Sequence, residues 1–122
     1  MEISNEQKLK SISNINKFIG AFKEIRTFGV LCKIDYLKEG KIYLSDTCNC
    51  YVRYDNGYPQ SEFYINWNYE KNILKKHNLR ETYNTTFHIF ELEDDVLQII
   101  DKRNIITIEI EKENDNDEKG KN

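Results

Sequence analysis

The sequence predicts an α+β fold: a long N-terminal helix packed on a twisted antiparallel sheet, with a short second helix and three further strands. Three observations carry this expectation. Apolar residues recur every three or four positions between Leu9 and Ile25, the spacing of one helical face. From Phe28 onward the apolar period shortens to two, the mark of a half-buried strand. Turn-forming clusters then separate successive alternating runs, so the strands follow one another as a meander. A small OB-like barrel is the alternative architecture, because four strands, a helix and more strands echo that order.

Each element has its own signal. Ser4 can cap the first helix, with Gln7 three residues on in capping-box spacing. Leu9, Ile12, Ile15, Ile19, Phe22 and Ile25 form the apolar stripe, and the helix is expected to end near Arg26. Phe28, Val30, Cys32, Ile34 and Tyr36 are the inner face of the first strand, and Lys38 to Lys41 is a turn. Ile42 and Leu44 then point one way and Tyr43 the other. The next strand turns Cys48, Cys50, Val52 and Tyr54 inward and Asn49, Tyr51 and Arg53 outward. Asp55-Asn56-Gly57 is a tight-turn signal. Phe63, Ile65 and Trp67 form the inner face of a fourth strand.

A second helix is expected from Tyr69 to about Leu79, capped by Asn66 or Asn68. Thr85 to Leu92 is apolar on both faces, which is the pattern of a central strand. Val96 to Ile100 and Ile106 to Ile110 complete the sheet, with turns at Glu93-Asp94-Asp95 and Lys102-Arg103-Asn104. Residues 1–111 therefore read as a single domain. Residues 112–122 contain no apolar side chain and are expected to be a disordered acidic tail.

Composition bounds the function. No apolar run approaches the ~18 residues of a membrane helix. The first residues, MEISNEQKLK, lack the basic-then-apolar pattern of a secretion signal. A cytoplasmic protein is expected. Sixteen Ile, 14 Lys and 14 Asn against 4 Arg suggest an AT-rich bacterial, phage or mobile-element source. Net charge is −3, and it is divided. Residues 1–80 carry 13 basic and 9 acidic side chains, whereas residues 81–122 carry 5 and 12. That balance disfavours nonspecific DNA binding, which needs many phosphate contacts.

No segment specifies a chemistry. There is no G-x-S-x-G, no H-E-x-x-H and no glycine-rich phosphate loop. Neither an enzyme nor a cofactor is expected. Cys48 and Cys50 share a strand face, and Cys32 with His77 or His88 could complete a zinc site on paper. The spacing is not the C-x2-C of structural zinc, so three free buried thiols and no metal are expected. Glu91, Glu93, Asp94 and Asp95 cluster at one turn without the spacing of a calcium loop.

The tyrosines are the strongest feature. Seven of eight lie between Tyr36 and Tyr69. Alternation puts Tyr43, Tyr51 and Tyr64 on the outer face with Arg53, Asn49 and Asn66. Tyrosine and arginine are enriched at binding hot spots. The expectation is a non-catalytic binding protein that occludes a protein partner with a basic surface, steered by the carboxylates from Glu91 to Asp95. Phage counter-defence (anti-CRISPR-like) inhibitors and toxin-immunity proteins are of this kind. A nucleotide-sequestering protein and a single-stranded nucleic-acid module are the alternatives, the second disfavoured by acidity. The tyrosine face could also join two copies as a homodimer.

Overall fold

The structure, a computed structural model, describes residues 3–20, 29–55 and 60–111. Its elements run α1 (Asn5–Gly20), β1 (Val30–Lys38), β2 (Lys41–Asp55), β3 (Gln60–Ile65), α2 (Lys71–Lys76), β4 (Thr82–Asn84), β5 (Ile89–Glu93), β6 (Val96–Asp101) and β7 (Asn104–Ile110). All seven strands form one sheet in the order β4-β3-β2-β1-β7-β6-β5, every pair antiparallel. The fold is α+β.

The chain itself forces the sheet to curl. Asn84 ends one edge strand and Ile89 begins the other. Five residues reach at most about 18 Å, whereas the edges of a flat seven-stranded sheet lie about 29 Å apart. The sheet therefore closes into a half-barrel. Phe63 of β3 and Phe90 of β5 meet across its hollow, with ring centroids 6.2 Å apart.

The concave face is the core. Cys32, Ile34, Cys48, Cys50, Phe63, Ile65, Phe90, Leu97, Ile99, Ile106 and Ile108 point into it and are buried. Helix α1 fills one part of the hollow. Ser4 caps it as expected: its Oγ accepts the Gln7 N–H at 3.1 Å and its carbonyl accepts the Lys8 N–H at 2.9 Å. The buried face of α1 is Ser11, Ile15 and Phe18, while Leu9 is exposed. This face is rotated from the expected stripe because two polar side chains work on the sheet edge. Ser11 Oγ accepts the Phe90 N–H at 2.9 Å, and Asn14 Nδ2 donates to the Phe90 carbonyl at 2.8 Å. The expected stripe residues Phe22 and Ile25, and the expected end near Arg26, lie outside the described residues.

Four expectations are corrected. Ile42–Leu44 and Cys48–Tyr54 belong to one strand of 15 residues, β2, with Ser45-Asp46-Thr47 inside it. These polar residues are the docking site of a later loop. Asp46 accepts the Asn68 N–H at 2.8 Å and its side-chain amide at 2.9 Å, and the Tyr69 hydroxyl donates to the Ser45 carbonyl at 2.7 Å. Asn68 is thereby used, and neither it nor Asn66 caps α2; the N-cap is Glu70 with no side-chain cap bond, and α2 is shorter than expected. The expected strand from Thr85 begins only at Ile89, after a turn, and Thr82–Asn84 form a short strand of their own. β5 is an edge strand, not a central one. Its inner side lies under α1, which explains the apolar residues there. The expected turn at Asn56-Gly57 and the acidic tail from 112 lie outside the described residues.

Candidate functional site

The convex face of β2 and β3 brings most of the expected site together. Tyr51 pairs directly with Tyr64, and Arg53 with Glu62. The Asn66 N–H donates to the Asn49 carbonyl at 2.9 Å, continuing the ladder. Alternation on two paired strands therefore places Asn49, Tyr51, Arg53 and Tyr64 on one surface, with Asn66 beside Asn49. The tyrosine rings stack with centroids 4.6 Å apart and planes 3° from parallel. Tyr51 remains 44% exposed. The Tyr64 hydroxyl donates to Glu62 Oε1 at 3.2 Å. Two aromatic rings are thus held in register by the sheet beneath them and by a hydrogen bond at one rim. The side chains of such a surface are already ordered, which lowers the entropy cost of any contact made there.

The backbone next to the pair is just as constrained. Gly29 faces Tyr51 across the start of β1 with φ +83°, and a Cβ there would stand 2.8 Å from the Cys50 carbonyl oxygen. Only glycine allows β1 to approach β2 so closely at this point.

Tyr43 is not part of this surface. Tyr36 pairs with Leu44 and Leu37 with Ile42, which leaves Tyr43 as the extra residue of a bulge. The bulge turns its ring toward Tyr36 and His77, at centroid distances of 6.5 Å and 6.2 Å. Eight residues of strand also separate Tyr43 from Tyr51, about 27 Å. Strict alternation through position 43 therefore fails, because an inserted residue resets it.

Tyr36, Tyr43 and His77 form an edge-to-face trio at one end of the hollow, with Tyr36 and His77 5.9 Å apart. Nearby, Tyr83 and His88 meet edge to face at 4.9 Å. The Tyr83 hydroxyl accepts the Arg80 N–H at 2.9 Å, and the Trp67 indole donates to the Arg80 carbonyl at 2.9 Å. Burial pushes the Tyr83 phenol up to about 12. It also lowers the His88 imidazole below its ordinary value, against an opposing pull from the Asn84 backbone and Asp101. Both effects mark a water-poor interior that favours neutral side chains. Sequence reading missed this group because its members come from five separate segments; the one local signal was histidine beside aromatic-rich strands.

The carboxylates lie elsewhere on the sheet. Glu91 and Glu93 are on the convex side of β5, and Asp94 and Asp95 make its tight turn with φ +50° and +67°, all four exposed. β5 is four strands from β2, about 19 Å along the sheet. Glu91 and Glu93 share a shallow hollow with Lys10 and Asn14 of α1.

The three cysteines do meet. Cys32 pairs directly with Cys48, and Cys50 lies two residues on along the same face. All are free and buried. Contact with the Cys32 and Cys48 thiols, then burial, raises the Cys50 thiol far above its ordinary value, so it stays protonated. Among the described residues no cluster of His, Cys, Asp and Glu could hold a metal ion. One open groove of about 440 Å³ runs beside α2, lined by Lys71, Lys75 and Arg80 with Glu81, Asn78 and two leucines. No described helix is long and apolar enough to cross a membrane.

Compared with protein-family models, with curated proteins and with solved structures, this chain finds no match in any of the three.

Proposed function

We propose that this chain is a non-catalytic binding protein that occludes a protein partner through the convex face of β2 and β3. The observation that carries the reading is the stacked Tyr51–Tyr64 pair, with Tyr51 exposed and Tyr64 half-buried, ordered by the sheet and flanked by Arg53 and two asparagines. Large rigid rings with a polar rim are the side chains that anchor protein interfaces. The carboxylates of β5 lie on the same convex side and favour a partner with basic surface. A single-stranded nucleic acid fits less well, because among the described residues Arg53 is the one cation beside the rings and it sits opposite Glu62. Occlusion of a basic functional surface is the mode used by counter-defence inhibitors and toxin-immunity proteins, and the chain is assigned to that class of activity.

The test is a tagged pull-down from host lysate, run side by side with Tyr51→Ala and Arg53→Ala. The expected result is one stoichiometric protein bound by the parent and weakened by more than about 1 kcal/mol in each variant, with unchanged circular dichroism. Equal capture by parent and variants would remove the assignment. Native mass spectrometry of the same eluate covers a second reading, favoured by the three cations of the α2 groove. A chain that captures no protein but carries a few hundred extra daltons absorbing near 260 nm is a nucleotide-sequestering protein.

A further inference from the structure

Residues 71–80 hold four cations, Lys71, Lys75, Lys76 and Arg80, and no carboxylate. In a chain of net charge −3 this segment reverses the sign locally. Three of the four line one groove. Lys71 and Lys75 stand four residues apart on α2 and so project from the same side of the helix. Arg80 reaches the groove from the segment after the helix. Leu74 and Leu79, both buried, make its apolar floor. The Leu79 N–H donates to the Leu74 carbonyl at 2.8 Å, which ties that floor to the end of the helix. The volume of about 440 Å³ is that of a small-molecule site.

The wall that carries Arg80 is fastened to the core. The Arg80 N–H donates to the Tyr83 hydroxyl at 2.9 Å, and its carbonyl accepts the Trp67 indole N–H at 2.9 Å. Tyr83 and Trp67 are both buried. The next carbonyl, that of Glu81, accepts the Ile65 N–H at 2.8 Å. Two buried aromatic side chains therefore direct their polar groups at the backbone of one exposed arginine. The cations themselves are unengaged: among the described residues Lys71, Lys75 and Arg80 form no ion pair, whereas Arg103 is held by Glu39 at 3.4 Å. A fixed backbone beneath a free guanidinium suits an anion, because the planar fork of arginine meets two phosphate oxygens at once.

We propose that the α2 groove binds a phosphomonoester, with Lys71, Lys75 and Arg80 on the phosphate and the organic body of the ligand against Leu74 and Leu79. Charge selects this class. Three cations less the one carboxylate of the groove, Glu81, leave a net +2. A phosphomonoester carries about −1.5 to −2 at pH 7 and is balanced there. A long polyanion fits less well, because Glu70 and Glu81 bound the positive segment at its two ends. The groove shares no residue with the Tyr51–Tyr64 surface, so the proposal stands apart from the occlusion reading. It gives the nucleotide-sequestering reading a place in the fold and a chemistry, and it extends that reading to other phosphomonoesters.

Titration of the isotope-labelled full chain with inorganic phosphate and with adenosine monophosphate, followed by amide NMR at constant ionic strength, tests this. The expected result is saturable shifts centred on residues 71–81 with both probes. Adenosine monophosphate binds about tenfold more tightly than phosphate, through apolar contact with the two leucines. Lys71→Gln combined with Lys75→Gln, and Arg80→Gln by itself, each raise the dissociation constant for adenosine monophosphate about tenfold or more. All three side chains are exposed, so these variants keep the fold, which circular dichroism checks. Lys33→Gln, an exposed cation of β1, leaves binding unchanged. Absence of a saturable shift overturns the proposal. So do equal shifts with sodium chloride, or binding of adenosine monophosphate that the groove variants leave intact. Tyr51→Ala retains the shifts, so loss of this site and loss of the occlusion reading are scored by different variants.

Discussion

The two faces of this sheet are made by the same strands and share almost nothing else. Along β3, Ser61, Phe63 and Ile65 point into the hollow and are buried, while Glu62 and Tyr64 between them point out. The concave side is filled by α1 and by the loop carrying α2, and its interior holds three thiols and interlocking aromatic rings. The convex side has no helix over it among the described residues, yet it carries a stacked tyrosine pair. A face filled by its own helices has no room for a partner. Stability therefore resides in one side of each strand, and the proposed recognition surface in the other, separated by a single residue.

Adjacent substitutions sharpen this contrast most. Phe63→Ala removes a ring that touches both Phe18 and Phe90 and should cost about 3–5 kcal/mol. Tyr64→Ala, one residue along, should cost about 1 kcal/mol or less while weakening partner binding. Urea unfolding of both variants measures the difference. Comparable losses of stability would mean that the convex face, too, belongs to the core.

A smaller effect is expected from pH. His88 has its imidazole lowered in the folded chain by burial, so the unfolded chain binds its proton more readily. Its contribution is complete above about 6.5, the unfolded value, and is lost as pH falls from there toward the lowered folded value. His88→Gln should flatten the stability profile below about pH 6.5 relative to the parent. The urea midpoint at several pH values checks this, and parallel profiles for the two proteins would remove His88 as the cause.

Much of the concave face was legible in the sequence, and the reason is periodicity. Val30, Cys32, Ile34 and Tyr36 alternate without interruption, and so do Ile106, Ile108 and Ile110. Burial follows that alternation residue by residue. Legibility failed where one residue did two jobs or where an insertion shifted the count. Ser11 and Asn14 lie outside the apolar stripe of α1, yet they bond a strand far along the chain. Tyr43 broke the alternation through its bulge and left the tyrosine group to which it had been assigned. The sequence put Tyr51 and Tyr64 on one face, but that they are direct partners and stack depends on the register of β2 against β3. Register is a property of pairs, and a single sequence displays only its own order.

The grip of α1 on Phe90 sets a timetable for the newborn chain. Ser11 and the Phe90 amide are 79 positions apart. At roughly 5–20 residues per second, a ribosome needs about 4–16 s to make the second after the first. Helix α1 is therefore synthesised well before the strand it grips, and its apolar side must wait in a crowded cell until β5 emerges. β5, once made, has an open edge of unpaired amides and carbonyls until the helix arrives to cover it. Each is a liability until the other is in place, and one closing event removes both.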